Sequence, residues 1–251
     1  MWMRRLAWHI LKQMRLLDVT LGTLTENLAL DEALLLEAEA GRSGEVLRFW
    51  EWPAPAVVLG AGGIVGQDVI EKHTRDDGVP VARRSSGGGT VVLGRGCLCF
   101  TLVLAMDGNA ALREVRPSYC FILGKLIDAL DGLLPDFSCA GTSDLAAAGR
   151  KVSGNAQQRK RNFLLHHGTM LYDFDLSQVG RYLQLPPRQP MYRGGRGHAD
   201  FLKNLPASSE QLKERLGRCW QATEPLADWP VDLVHALVAE KYNLEGWVRR
   251  R

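Results

Sequence analysis

Cysteine is scarce in this chain of 251 residues, and the five present, Cys97, Cys99, Cys120, Cys139 and Cys219, show no paired metal-ligand spacing. Their odd number in so long a chain excludes a disulfide-built scaffold, and predicts reduced thiols in a cytoplasmic protein. An excess of one charge is missing too. With 31 basic against 28 acidic residues the formal net charge is +3, too small a surplus to suggest a nucleic-acid binder. No apolar run approaches a membrane span. Met1-Trp2-Met3-Arg4-Arg5-Leu6-Ala7-Trp8 imitates a signal peptide, but His9 and Lys12 break its apolar run and no small-residue cleavage site follows. Residues 1–13 are therefore expected to be a flexible arm or a mis-assigned start, and residues 14–251 a single domain. There is no internal repeat. The 46% of hydrophobic residues suffices to bury a sizeable core.

Two nucleotide fingerprints are also absent. Gly60-Ala61-Gly62-Gly63 and Gly87-Gly88-Gly89 lack both the lysine and hydroxyl residue of a P-loop and the spacing of a dinucleotide motif. The second stretch is nevertheless distinctive, because Arg83, Arg84, Ser85, Ser86 and Thr90 surround it. Glycines let a ligand approach the backbone, and clustered donors suit a carboxylate or phosphate.

Local patterning alternates between strands and helices. Residues 14–19, 46–52, 56–59, 79–84, 91–93, 97–105, 145–148, 151–157 and 163–172 read as strands, with 91–93 and 97–105 expected to form a hairpin across Gly94-Arg95-Gly96. Helical spacing marks residues 24–39, capped by Thr23 or Thr25, then 65–77, 117–134, 176–183, 209–222 and 231–242. Strands joined by short turns predict an α+β fold, a mixed and largely antiparallel sheet flanked by helices. Residues 186–206, rich in proline, glycine and arginine, read as an irregular and mobile loop, with Arg193-Gly194-Gly195-Arg196-Gly197-His198 as a lid or docking element.

Candidate chemistry clusters late in the chain. Strict alternation places Lys151, Ser153 and Asn155 on one face of a strand, and a lysine facing an enclosed site requires an anion. Asp144 either holds a magnesium ion, orients Lys151 or caps a turn. Cys139 is either an acyl-accepting nucleophile or a small packed side chain. His166 and His167 point to opposite faces, so they cannot ligate one metal; one packs and the other faces the site. Arg159, Lys160 and Arg161 form a basic turn, a solvated hairpin tip or a contact for a phosphate or an acidic partner.

Taken in order, Arg83-Arg84-Ser85-Ser86-Gly87-Gly88-Gly89-Thr90-Val91, Gly141-Thr142-Ser143-Asp144-Leu145, Arg150-Lys151-Val152-Ser153-Gly154-Asn155-Ala156 and His166-His167-Gly168-Thr169-Met170-Leu171 resemble the lipoate–protein ligase A family. The likeness extends to Asn27-Leu28-Ala29-Leu30-Asp31-Glu32-Ala33 and covers roughly residues 14–247. It implies the catalytic-domain fold shared with biotin protein ligases and octanoyltransferases, with an acyl tunnel beneath the triple glycine. It further implies ATP and Mg2+ as cosubstrate and ion, lipoate or octanoate as substrate, and an acyl-adenylate passed to a lysine of a lipoyl domain, on a dehydrogenase E2 subunit or a glycine cleavage H protein.

By the same resemblance Lys151 is the catalytic cation. Arg83, Arg84, Ser86, Gly87, Gly88, Gly89, Thr90, Val91, Asp144, Ser153, Gly154, Asn155, His166, His167 and Gly168 hold acid and nucleotide. The family's accessory C-terminal domain is expected to be missing; in some short members a separate accessory protein activates the enzyme, so such a protein is a candidate partner. The alternative is an octanoyltransferase that works without ATP through a Cys139 thioester. No nucleic acid or membrane partner is expected, and a monomer is the default.

Overall fold

The computed structural model describes residues 14–250; the arm expected over residues 1–13 lies outside them. In chain order the elements are β1 (Arg15–Asp18), α1 (Leu24–Glu39), β2 (Val46–Glu51), β3 (Ala56–Leu59), α2 (Val65–Asp68), α3 (Glu71–Asp76), β4 (Val81–Arg83), β5 (Val91–Leu93), β6 (Cys97–Ala105), α4 (Ala110–Arg113) and α5 (Val115–Leu130). There follow β7 (Phe137–Ala140), β8 (Asp144–Ala147), β9 (Arg150–Arg159), β10 (Phe163–Leu171), α6 (Ser177–Tyr182), α7 (His198–Phe201), α8 (Ser209–Cys219), β11 (Glu224–Pro225), α9 (Val231–Leu237) and α10 (Glu245–Val248). Eight strands form one sheet in the order β11-β1-β2-β6-β10-β9-β8-β7, and β4-β3-β5 form a second. Pairs involving β1, and β3 with β4, are parallel; the others are antiparallel, as the strand pattern predicts.

Period-two alternation divides the core. Along β6, Leu98, Phe100, Leu102 and Leu104 join Ile122, Leu123 and Leu126 of α5 and Leu212 and Leu216 of α8 on one side. Cys97, Cys99 and Val103 join α1 and the small sheet on the other. Helix α1 starts at a capping box formed by Thr23 and Glu26, and it is buried nearly all round. Its buried polar groups are therefore paired: Asn27 and Asp31 with Arg48, and Glu32 with Lys241 and Tyr242.

Three local expectations fail. β5 pairs with β3 in the small sheet and not with β6, so no hairpin spans Gly94-Arg95-Gly96. Gly96 serves closeness instead, since a Cβ there would lie 2.0 Å from the Asp173 backbone. The helix expected over 65–77 breaks where Val69 bridges to Leu183 and the Ile70 N–H donates to the Tyr182 carbonyl. Residues 186–206 do not form a detached loop: they hold α7, bury Arg193 and Phe201, and run beside β9 through a Lys151–Leu202 bridge.

Candidate functional site

A cavity of about 150 Å³ opens between the large sheet, α1 and the small sheet. Its apolar wall comes from Leu28, Trp50, Val58, Val91, Leu93 and Ala156, and its polar wall includes Arg84, Asp31, His167, Asp144, Lys151 and Asn155. Gly89, Thr90, Ser143, Gly154, Gly168 and Thr169 complete it, together with Cys99 and Phe100. A slot with greasy sides and few converging polar groups suits a small amphiphile.

Lys151 reaches this cavity because β9 is irregular. The register slips between Leu145 and Ala146, so Leu145 pairs with Ser153 and Ala146 with Lys151, leaving Val152 as the extra residue. Val152 and Leu145 both enter the core beneath α5, whereas Lys151 lines the cavity. Ser153 lies in register with Met170, also in the α5-side core, so it does not share the face of Lys151 as strict alternation predicts. The Lys151 ammonium sits 2.7 Å from Asp144 Oδ1, and Tyr192 donates its hydroxyl to Asp144 Oδ2 at 2.7 Å. Gly154 leaves room for the amine, since a Cβ there would fall 2.7 Å from Lys151 Nζ.

The glycine corner is wired from behind. Arg84, buried but lining the cavity, donates to the Gly87 carbonyl at 2.6 Å, the Gly89 carbonyl at 2.9 Å and Ser86 Oγ at 2.9 Å. Carbonyls turned toward the guanidinium turn the following amides of Gly88 and Thr90 away from it, because each peptide is planar and trans. Burial pulls Arg84 down to about 10, so it stays charged at neutral pH. Gly88 has φ +88°, and a Cβ on Gly60 would lie 2.0 Å from the Gly88 carbonyl. The two glycine stretches thus press backbone to backbone, which explains why both are glycine.

From Ser86 a polar chain runs inward. Ser86 Oγ lies 2.5 Å from His167 Nε2, His167 Nδ1 lies 3.0 Å from Asp31 Oδ2, and Arg48 contacts Asp31 Oδ1 at 2.5 Å. Burial alone would raise the Asp31 carboxyl, but Arg48 and His167 hold it below the ordinary value. The order serine, histidine, aspartate imitates a hydrolytic triad, yet Ser86 is 1% exposed and absent from the cavity wall. The chain orients Arg84 and His167 and offers no nucleophile.

A family model described as the lipoyl protein ligase A/B catalytic domain matches residues 23–216. The chain belongs to that family. A probable lipoate-protein ligase A of Mycoplasma pneumoniae is 30% identical over 67% of this chain and 48% of its own length. The chain thus spans about half the length of the Mycoplasma relatives it matches. An octanoyltransferase LipM of Carboxydothermus hydrogenoformans is 32% identical over 90% of this chain and 94% of its own. Among solved structures, the bi-partite lipoate protein ligase of Thermoplasma acidophilum, described with its E2 lipoyl domain, superposes with TM-score 0.80 at 23% identity, covering 94% of this chain and 96% of that one. A Thermoplasma acidophilum structure with bound lipoic acid gives 0.78 at 22% identity over 94% and 99%, and a lipoate-protein ligase A with ATP gives 0.79 at 23% over 94% and 98%. These likenesses bear out the expected α+β fold.

Within this lipoyl ligase A/B domain most of the expected site residues come together and the rest do not. Lys151, Arg84, Gly89, Thr90, Val91, Asp144, Gly154, Asn155, His167 and Gly168 meet at the cavity. Ser86 is buried behind its wall, whereas Gly87 and Gly88 are exposed at the corner, where Arg84 holds the Gly87 carbonyl. Arg83 is corrected: its guanidinium faces away and donates to the carbonyls of Gly60, Gly63, Trp247 and Val248, tying the first glycine stretch to the C-terminal segment. Adjacent strand residues face opposite ways, so only one of the two arginines was able to serve the cavity. His166 is corrected as well. Fully buried between Asn155 and Gln157, it is driven down to about 3 by burial and then by His167, and so is neutral.

Cys139 stands away from the cavity. It pairs with Leu145, whose side chain is in the α5-side core, and burial and then Cys120 push its thiol above the ordinary value. Asp144 is held at both oxygens, by the Lys151 ammonium and by the Tyr192 hydroxyl. Arg159 leaves the basic turn to donate to the Leu112 carbonyl and Ser118, so only Lys160 and Arg161 form the exposed tip. Sequence reasoning missed Asp31, Trp50 and Tyr192. Two acids, Asp31 and Glu32, inside a leucine-rich helix were the available signal for the first; nothing local marked the others.

Proposed function

We propose that this chain activates lipoate or octanoate with ATP and transfers the acyl group to a lysine of an acceptor lipoyl domain. The observation that carries the reading is Lys151: a cation paired with one carboxylate, on the polar side of a cavity whose other side is apolar. A medium-chain acid matches that division, its tail against Leu28, Trp50, Val58 and Leu93 at about 0.8 kcal/mol per buried methylene. Its carboxylate takes the Lys151 ammonium in place of Asp144. ATP, when bound, supplies the α-phosphate that this carboxylate attacks, with pyrophosphate leaving.

Charge accumulates on the phosphorus oxygens in that step, and a preset cation stabilises it more than the ground state. Lys151 is positioned to do so, and Arg84 adds a fixed positive charge inside the glycine corner. The acceptor amine then adds to the acyl carbon, forming the amide, releasing AMP and losing a proton. The likenesses to structures holding lipoic acid and ATP support this reading.

A second reading is octanoyl transfer without ATP, favoured by the near full-length likeness to an octanoyltransferase. The position of Cys139 on the opposite face of the sheet speaks against it. The test is the mass of an acceptor lipoyl domain after incubation with octanoate, ATP and Mg2+, or with octanoyl carrier protein alone. Ligation requires modification in the first mixture; modification confined to the second would establish the transferase and overturn the proposal.

A further inference from the structure

Lys151 is held twice by the segment that follows α6. On the backbone, the Lys203 N–H donates to the Lys151 carbonyl at 2.9 Å beside the Lys151–Leu202 bridge. At the side chain, Tyr192 reaches Asp144, which in turn holds the ammonium. The segment is clamped to the turn that starts β9: Arg196 donates to the Gly149 carbonyl at 2.8 Å and Arg150 to the Ala199 carbonyl at 2.9 Å. Tyr192 stands in the middle of these ties, its ring against Phe201 at 5.0 Å. Pro190 packs over Gly141, 3.3 Å from where a Cβ would be.

We propose that Tyr192 is a positioning residue for the Lys151 ammonium, acting through Asp144. The inference rests on the reading of Lys151 as the acid-activating cation. A carboxylate that accepts from one side only is free to turn about its terminal bond, whereas Asp144 receives Tyr192 on one oxygen and Lys151 on the other and is held in one orientation. That fixes where the amine waits when the acid arrives, and preset geometry is what raises the rate of the chemical step more than affinity. Burial and then Asp144 keep the Tyr192 phenol protonated, so it remains a donor throughout the neutral range.

The same arrangement makes a double-mutant cycle decisive. If Tyr192 works through Asp144, Tyr192→Phe lowers kcat for acyl transfer about 10-fold and leaves the KM for octanoate within about twofold, because the tail contacts are untouched. In an Asp144→Ala background the same change has no further effect. Additive losses would overturn the proposal, as would a fall carried by KM alone. A second readout needs no acyl chemistry: tryptic cleavage after Arg188 in the wild type, both single variants and the double variant. Each single variant should be cut severalfold faster and the double variant no faster than Asp144→Ala; wild-type cleavage rates in Tyr192→Phe would overturn the tie. Should the wild type acylate no lipoyl domain from either donor, the ligase reading fails, while the cleavage cycle still decides whether Tyr192 is coupled to Asp144.

Discussion

Behind the glycine corner, Arg84, Ser86, His167, Asp31 and Arg48 pass hydrogen bonds from one buried group to the next, and the Arg48–Asp31 pair is at most 3% exposed. Lys151, across the same cavity, is 24% exposed at its side chain and forms its ion pair with Asp144. The contrast separates charge used as framework from charge kept for a ligand. A guanidinium whose donors are spent on carbonyls contributes shape and a fixed field. An ammonium with donors to spare exchanges partners when an anion comes.

That contrast breaks most visibly at Asp31. Replacing it with Ala strands Arg48 in the core, and we expect a loss of about 3–5 kcal/mol of stability in chemical denaturation. A loss under about 1 kcal/mol would mean that the polar chain is not framework. Lys151→Ala should behave oppositely: lipoyl-domain modification falls about 10²–10³-fold, as for removal of one charge-stabilising donor, while the thermal midpoint stays put. A large drop in the midpoint instead would place Lys151 with the framework.

His166 sharpens the picture through pH. Its folded pKa of about 3 lies below its unfolded value, so the unfolded chain binds the proton first as pH falls. Its contribution is therefore intact at neutral pH and is lost between the unfolded value of about 6.5 and the folded one, at about 1.4 kcal/mol per pH unit. Denaturation of the wild type and of His166→Gln at about pH 7.5 and about pH 5.5 should show the wild type losing about 1.4 kcal/mol more. Parallel losses would contradict a neutral buried imidazole. The smallest effect is expected at Cys139: Cys139→Ser should leave ATP-dependent modification within about twofold, since the thiol stands across the sheet from the ligand. Loss of all activity would return the thioester route.

Much of this was legible in the chain and some was not, for identifiable reasons. The bounds of α1 and β3 follow from leucine spacing, Thr23 and flanking prolines and glycines, all local signals. The polar motifs named nearly every residue that reaches the polar wall. Arg83 was misread because a motif lists neighbours in sequence, whereas a strand sends them to opposite sides. The hairpin at Gly94-Arg95-Gly96 failed because turn residues do not say which strand a partner belongs to. Of the apolar wall only Val91, inside a motif, was named, since Trp50 and Val58 look like any core residue until the fold leaves a gap between them. Tyr192 was hidden in a stretch whose glycines and prolines suggested looseness, although Arg196 fastens it to the Gly149 carbonyl in the turn before β9.

The slipped register in β9 means that the amine's location depends on a residue count as well as on residue identity. In an unbroken pleat Lys151 would share the side of Ser153 and point among the leucines under α5. A relative could carry every letter of the motif, lack the single supernumerary position, and present its cation to the wrong compartment. Length-changing mutations between residues 150 and 154 should accordingly be tolerated less than most substitutions there.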